Sequence, residues 1–158
     1  MQERFETFTV LINKISRNIR KIKNREMAEY GLRSNHISCL YYLYIEEELT
    51  ATALCNRCEE DKATISRTLD HLEERGYISY GSNQAKRYKA PIALTRSGRE
   101  LGETIAKKIN YILDEVCIGL TESERPEFYR CLNIVSESLE KCANSPTAST
   151  DKTVENRK

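Results

Sequence analysis

The chain has 158 residues, enough for one domain with a real core, and its 31% charged and 39% hydrophobic content with few prolines points to a mainly helical fold. The net charge of +1 excludes a uniformly basic or acidic surface, because the charges are segregated: acids at 46–48 and 59–61, bases at 14–25 and 86–89. No run of about 18 apolar residues is present, and MQERFETFTV lacks a basic segment followed by an apolar one, so neither a membrane span nor a signal peptide is expected and the expected location is cytoplasmic.

From residue 5 to 22, Phe5, Phe8, Ile12, Ile15, Ile19 and Ile22 repeat at alternating steps of three and four, a heptad seam that predicts a helix buried against other helices. At the end of a small domain that partner is often a second subunit; the rival reading is packing onto the chain's own core. Lys14, Arg17, Arg20, Lys21, Lys23 and Arg25 crowd the same helix without an acid and are expected on a solvated face. Gly31 breaks it. Ser34 or Asn35 is then expected to cap a second helix reaching about residue 47, whose wide apolar face holds Ile37, Cys39, Leu40, Tyr41, Leu43 and Tyr44.

Thr50 opens a short helix with Ala53, Leu54 and Cys58 facing inward, and a polar stretch, 57–60, follows it. The next segment, DKATISRTLDHLEERG, is the one around which the chain is organised. Asp61 is a strong cap, Ile65, Leu69 and Leu72 form a single buried stripe, and Gly76 is a stop. Its first two turns carry Lys62, Thr64, Ser66 and Arg67, cations and short hydroxyls beside the positive end of a helix dipole. That combination suits contact with phosphates and base edges. A short helix, a turn and this helix make a helix-turn-helix.

Residues 77–80 and 90–95 read as the strands of a hairpin, and the loop between them carries Lys86, Arg87 and Lys89, cations placed to reach a minor groove or backbone. Thr95 caps a helix over about 96–118 with Leu101, Ile105, Ile109, Ile112 and Val116 on one face. Thr121 with Glu124 gives a capping box for a last helix over about 122–142, striped by Phe128, Leu132, Val135 and Leu139. Residues 143–158 hold almost no large apolar side chain and are expected to be disordered. Six cysteines without an export signal read as reduced thiols, most of them small buried hydrophobes. The pair Cys55 and Cys58 invites a metal or redox reading. With no second pair, and His36 and His71 the only histidines, no metal site and no cofactor are expected.

In this order the chain resembles the MarR family of winged helix-turn-helix regulators, over about residues 5–141. The resemblance rests on Leu49-Thr50, on Asp61-Lys62-Ala63-Thr64-Ile65-Ser66-Arg67, on Leu72-Glu73-Glu74-Arg75-Gly76-Tyr77-Ile78 and on Leu94-Thr95-x-x-Gly98. It implies a mainly α fold in one domain, 1–142. The winged helix-turn-helix core would span about 33–95, with dimerisation helices at about 3–29 and 96–142. It further implies a homodimer on a pseudo-palindromic double-stranded DNA operator, a repressor released by a small aromatic or hydrophobic effector. Carried over by position, Lys62, Ala63, Thr64, Ser66 and Arg67 face the major groove, Arg87 enters the minor groove, and Lys86 and Lys89 flank it. An effector pocket would draw on Cys39, Tyr41 and Tyr44.

The chain departs from the pattern in two places that bear on DNA. The wing has Asn83-Gln84-Ala85-Lys86-Arg87 where the family has D-x-R-D, which leaves Arg87 without a bracing carboxylate. Glu59-Glu60 occupy the turn where glycine and an aliphatic residue are usual; they repel phosphates yet complement the helix dipole. Two alternative functions remain: a winged-helix module that docks proteins, and a thiol-based redox sensor acting through Cys55 or Cys58. Zinc sensing needs a cluster that His36 alone cannot build. No paired carboxylates, nucleophile set or phosphate-cradling glycine loop can be placed, so no enzymatic activity is expected.

Overall fold

A computed structural model describes residues 2–81 and 90–145. Lys86, Arg87 and Lys89 and the tail beyond Ser145 therefore lie outside the described residues. The chain divides into two compact units, up to Ile112 and from Leu113 onward, each taken here by itself.

The first unit starts with α1 (Gln2–Glu26), followed by one 3₁₀ turn, Ala28–Tyr30. Gly31 closes that turn at φ +65°, a left-handed conformation in which a side chain would be strained. Helix α2 (Ser34–Glu46) begins at Ser34 itself, so the capping position falls to Arg33, one residue before the first expected cap. The Arg33 N–H donates to His36 Nδ1 (3.0 Å) and the Ser34 N–H to Asn24 Oδ1 of α1 (2.7 Å). Two N–H groups at the entry to α2 are thus held by His36 and by Asn24 of α1.

A strand too short to read from sequence, β1 (Glu48–Leu49), leads into α3 (Ala51–Cys58), α4 (Lys62–Glu74), β2 (Ile78–Tyr80), β3 (Ile92–Leu94) and α5 (Arg96–Val116). The three strands form one antiparallel sheet in the order β1-β3-β2, with Ile78 opposite Leu94, Tyr80 opposite Ile92 and Leu49 opposite Ile92 on the other edge. Ile37, Leu40, Leu43, Leu54, Ile65, Leu69, Leu72, Ile92, Leu101 and Ile105 make a single core beneath α4. Each such side chain contributes about 1.5–3 kcal/mol relative to exposure.

Within the second unit, α6 (Glu124–Asn144) starts two residues later than expected and runs two further. The reciprocal capping box is present: the Thr121 N–H donates to Glu124 Oε2 (2.8 Å) and the Glu124 N–H to Thr121 Oγ1 (3.3 Å). Ala143 and Asn144, expected in the disordered tail, continue the helix, and Ser145 ends it by donating its N–H and Oγ–H to the Lys141 carbonyl (3.0 and 2.7 Å). The cysteines are less uniformly buried than expected. Cys39 and Cys117 are enclosed, Cys55 and Cys58 half-buried, Cys131 and Cys142 exposed, and all six are free thiols.

Candidate nucleic-acid interface

Thr50 caps α3 through its Oγ1, which accepts the Ala53 N–H (3.2 Å), and α3 ends where Glu59 takes a left-handed conformation at φ +53°. That is the position where the family resemblance expects glycine, and the backbone shows why: glycine adopts this region without strain. Of the two acids in the turn, Glu59 is exposed and Glu60 is half-buried; burial holds the Lys23 ammonium below its usual range, with Cys58 and Glu60 opposing that shift. Lys23 itself is not on the solvated face expected for it: it is partly buried and donates to Ser38 Oγ (2.9 Å).

Asp61 then caps α4 as the sequence expects. Its Oδ1 accepts the Thr64 N–H (2.9 Å) and its Oδ2 the Thr64 hydroxyl (2.7 Å), while Thr64 Oγ1 in turn accepts from the Arg67 guanidinium (3.3 Å). The bonds from the Thr64 hydroxyl and N–H hold the Asp61 carboxyl below its usual range, with the Arg67 charge adding to them. Asp61, Thr64 and Arg67 thus form one relay along the first two turns of α4, so the cap also positions the arginine.

Ile65, Thr68, Leu69 and Leu72 bury the inner face of α4. At 100° per residue the outer face centres on Ala63 and Arg67, with Thr64 and Ser66 on its two flanks and Lys62 beyond Ser66. Lys62, Ala63 and Arg67 are exposed, Thr64 and Ser66 half-buried. The five expected groove-facing residues lie together at the N-terminal end of this one helix. Asp70 and Glu74 occupy the same outer face further along, so only the first two turns present the hydroxyls and cations without an acid among them.

The far end of α4 is clamped by two segments that were separate in the sequence. The Gly76 N–H bonds the Glu73 carbonyl (2.8 Å) and the Tyr77 N–H bonds the Leu72 carbonyl (2.9 Å), a paired αL closure that needs Gly76 at φ +71°. Thr95, just before α5, donates its hydroxyl to the Gly76 carbonyl (2.6 Å) and its N–H to the Tyr77 carbonyl (3.0 Å). A Cβ on Gly98 would stand 1.9 Å from that same Tyr77 oxygen. Leu94-Thr95-x-x-Gly98 and Arg75-Gly76-Tyr77-Ile78 are thus two halves of one junction, which fixes α4 against the sheet and α5. Thr95, read from sequence only as a cap, is a positioning residue as well.

The expected effector residues do not converge on one side. Cys39 is fully enclosed, with its Sγ 3.8 Å from Cys58 Sγ. Tyr41 is half-buried and meets the Tyr42 ring edge-on at 5.6 Å. Tyr44 lies against Gly102 of α5, where an added Cβ would come within 2.9 Å of its own. Residues 39 and 41 are about 200° apart around a helix, so no single cavity takes both without repacking α2. Among the described residues, no group of three or more metal-ligating side chains converges, and no helix is long and apolar enough to cross a membrane.

Residues 30–87 match a family model described as the MarR family. The chain is 26% identical over 117 residues to an HTH-type transcriptional regulator, YwoH, of Bacillus subtilis strain 168, which covers 74% of this chain and 85% of that one. Its fold is similar to a crystal structure of MarR, with a TM-score of 0.70 at 28% identity, covering 87% and 94% of the two chains. It is also similar to the S. aureus MepR–DNA complex, with a TM-score of 0.74 at 21% identity, covering 84% and 97%.

Proposed function

We propose, from the premise that this chain is a MarR family winged helix-turn-helix protein, that it is a homodimeric, sequence-specific DNA-binding repressor. The observation that carries the reading is the first two turns of α4, where Lys62, Ala63, Thr64, Ser66 and Arg67 lie around one exposed end. A guanidinium there can make a bidentate contact to guanine, and the hydroxyls and N-terminal N–H groups can hold phosphates. Lys86, Arg87 and Lys89 of the wing are assigned to the minor groove and the adjacent backbone.

Pairing of two copies is supported by the apolar side chains left uncovered on α1, where Phe8, Leu11, Ile12, Ile15 and Ile19 are exposed. Single scattered apolar residues need no explanation, whereas a continuous stripe of them does. Release by a small hydrophobic or aromatic effector is assigned to the surroundings of Tyr41 and Tyr44, with Cys39 reached only if α2 repacks. The protein has no enzymatic role in this reading and works at the chromosome, in the cytoplasm.

Mobility-shift titration against the DNA upstream of the chain's own gene tests it. Binding at least 10³-fold tighter than to random DNA, falling steeply with salt, is the expected result. Binding no tighter than to random DNA would replace the repressor by a winged-helix module that docks proteins.

A further inference from the structure

We propose that Cys39 and Cys58 form a redox-modification site in which a peroxide oxidises Cys58, Cys39 closes a disulfide between α2 and α3, and the strained turn displaces the start of α4. The regulatory half of this inference rests on the DNA-binding reading above.

Three observations carry it. The two sulfurs, 19 residues apart in sequence, lie 3.8 Å from each other, within reach of a bond after a small approach. Their environments differ in the way the chemistry needs. Cys39 is fully enclosed, whereas Cys58 is half-buried at the last position of α3. Charge divides them further. The hydrogen bond shared with Cys39 holds the Cys58 thiol below its usual range, helped by the Lys23 ammonium and opposed by burial and Glu60. The same bond and the burial of Cys39 push its own thiol up. The half-buried Cys58, its thiol held down, is thus the sulfur of the pair placed to meet an oxidant first.

The chemistry balances with one named co-reactant, a hydroperoxide. The Cys58 sulfur attacks the terminal peroxide oxygen, the O–O bond breaks, and the peroxide is reduced to an alcohol, or to water from hydrogen peroxide. Cys58 is oxidised by two electrons to a sulfenic acid. The Cys39 sulfur then attacks Cys58, its proton leaves with the sulfenic hydroxyl as water, and the S–S bond forms.

Closing that bond shortens the 3.8 Å separation to about 2.05 Å. Cys39 sits in a helix whose Ile37, Leu40 and Leu43 are at most 2% exposed, so α2 has little room to yield. Cys58 adjoins the left-handed Glu59 and stands three residues before Asp61, the cap that starts the relay to Arg67. The approach therefore falls on the turn that positions α4.

The test uses the full chain with Cys131→Ser and Cys142→Ser, so that exposed thiols do not cross-link copies. After hydrogen peroxide, peptide mapping without reductant is expected to find Cys39 joined to Cys58. Affinity for the upstream DNA is expected to fall at least 10-fold and to return with dithiothreitol. Cys58→Ser should keep its affinity under peroxide. Cys39→Ala should stop at a Cys58 sulfenic acid that dimedone labels; if that variant does not fold, Cys58→Ser carries the control. No cross-link, or a Cys55–Cys58 cross-link instead, overturns the site. A mapped Cys39–Cys58 bond with unchanged affinity overturns its regulatory role. Reduced protein that never prefers its upstream DNA overturns that role together with the DNA-binding reading, while the mapping result is read independently.

Discussion

Helices α1 and α4 both carry a clean apolar stripe, and they meet opposite fates. On α4, Ile65, Leu69 and Leu72 are at most 2% exposed. On α1, Phe8, Ile12, Ile15 and Ile19 are 37–49% exposed, although their spacing is at least as regular. Hydrophobic periodicity states which residues share a face; it does not state what covers that face. Helices α2 and α3 and strand β2 cover α4, whereas nothing among the described residues of its own unit covers the middle of α1. Taken by itself, α6 behaves like α1: Phe128, Leu132 and Leu139 are exposed at 38–51%. The molecule thus has a closed region complete within one chain and terminal helices whose burial needs something more.

The hardest way to break the closed region is Gly98→Ala. The added Cβ would meet the Tyr77 carbonyl oxygen at 1.9 Å, a backbone atom held by Thr95 and unable to swing aside. Loss of about 3 kcal/mol or more is expected, a fall of roughly 6–12 °C in melting temperature for a chain this size. Calorimetry reads it, and an unchanged melting temperature would mean that α5 is not locked against the end of α4.

The opposite test leaves the fold alone. Ile12→Glu with Ile15→Glu places two charges on a stripe already in water in the single chain. The circular dichroism spectrum and melting of the dilute monomer should hardly move. Sedimentation should nevertheless show dimer affinity reduced about 100-fold, near 2.7 kcal/mol, because those charges would have to be desolvated on pairing. A variant that unfolds instead would show that α1 packs on its own chain, the rival reading of the heptad seam.

This contrast explains how much the sequence could tell. Caps and stops were legible because their chemistry is local: Asp61, Gly76, Thr95 and the Thr121–Glu124 box all act within a few residues. The start of α2 was misread because its acceptor, Asn24, comes from another helix, and β1 was missed because two residues carry no period. The groove-facing set on α4 was readable, being consecutive on one helix. The Cys39–Cys58 contact was not, since the CxxC spacing drew attention to Cys55, and only the packing of α3 on α2 brings Cys39 to Cys58.

The outer face of α4 is a third case, polar and open by composition rather than for want of a cover. Arg67→Ala should leave the core untouched, because the side chain is exposed and its bond within the relay goes to Thr64. Operator affinity should fall by about 1–3 kcal/mol with relaxed preference at one base position. Anisotropy titrations across single-base operator variants would show it, and equal losses on every sequence would reassign Arg67 to a phosphate.

The smallest expected effect probes the closed region through pH. His36 stacks on His71 of α4 with ring centroids 4.5 Å apart, and its Nδ1 must stay unprotonated to accept the Arg33 N–H. Burial, then the nearby charges of His71, Arg33 and Arg75, hold its pKa down at about 4 against 6.5 in the unfolded chain. The unfolded state therefore binds the proton first as the pH drops, so this contribution is intact above 6.5 and lost progressively toward 4. His36 is half-buried rather than enclosed, and water screening limits the loss to about 1 kcal/mol. Asp61 and Glu124, whose carboxyls are held below their usual range, give up their contributions at lower pH, which leaves the interval from 6.5 to 5 to His36. His36→Asn keeps an acceptor one turn from Arg33 and removes the titration. Urea midpoints should fall between pH 7 and pH 5 in the parent and stay level in the variant, and equal slopes in both would place the proton elsewhere than on the helix that α4 rests against.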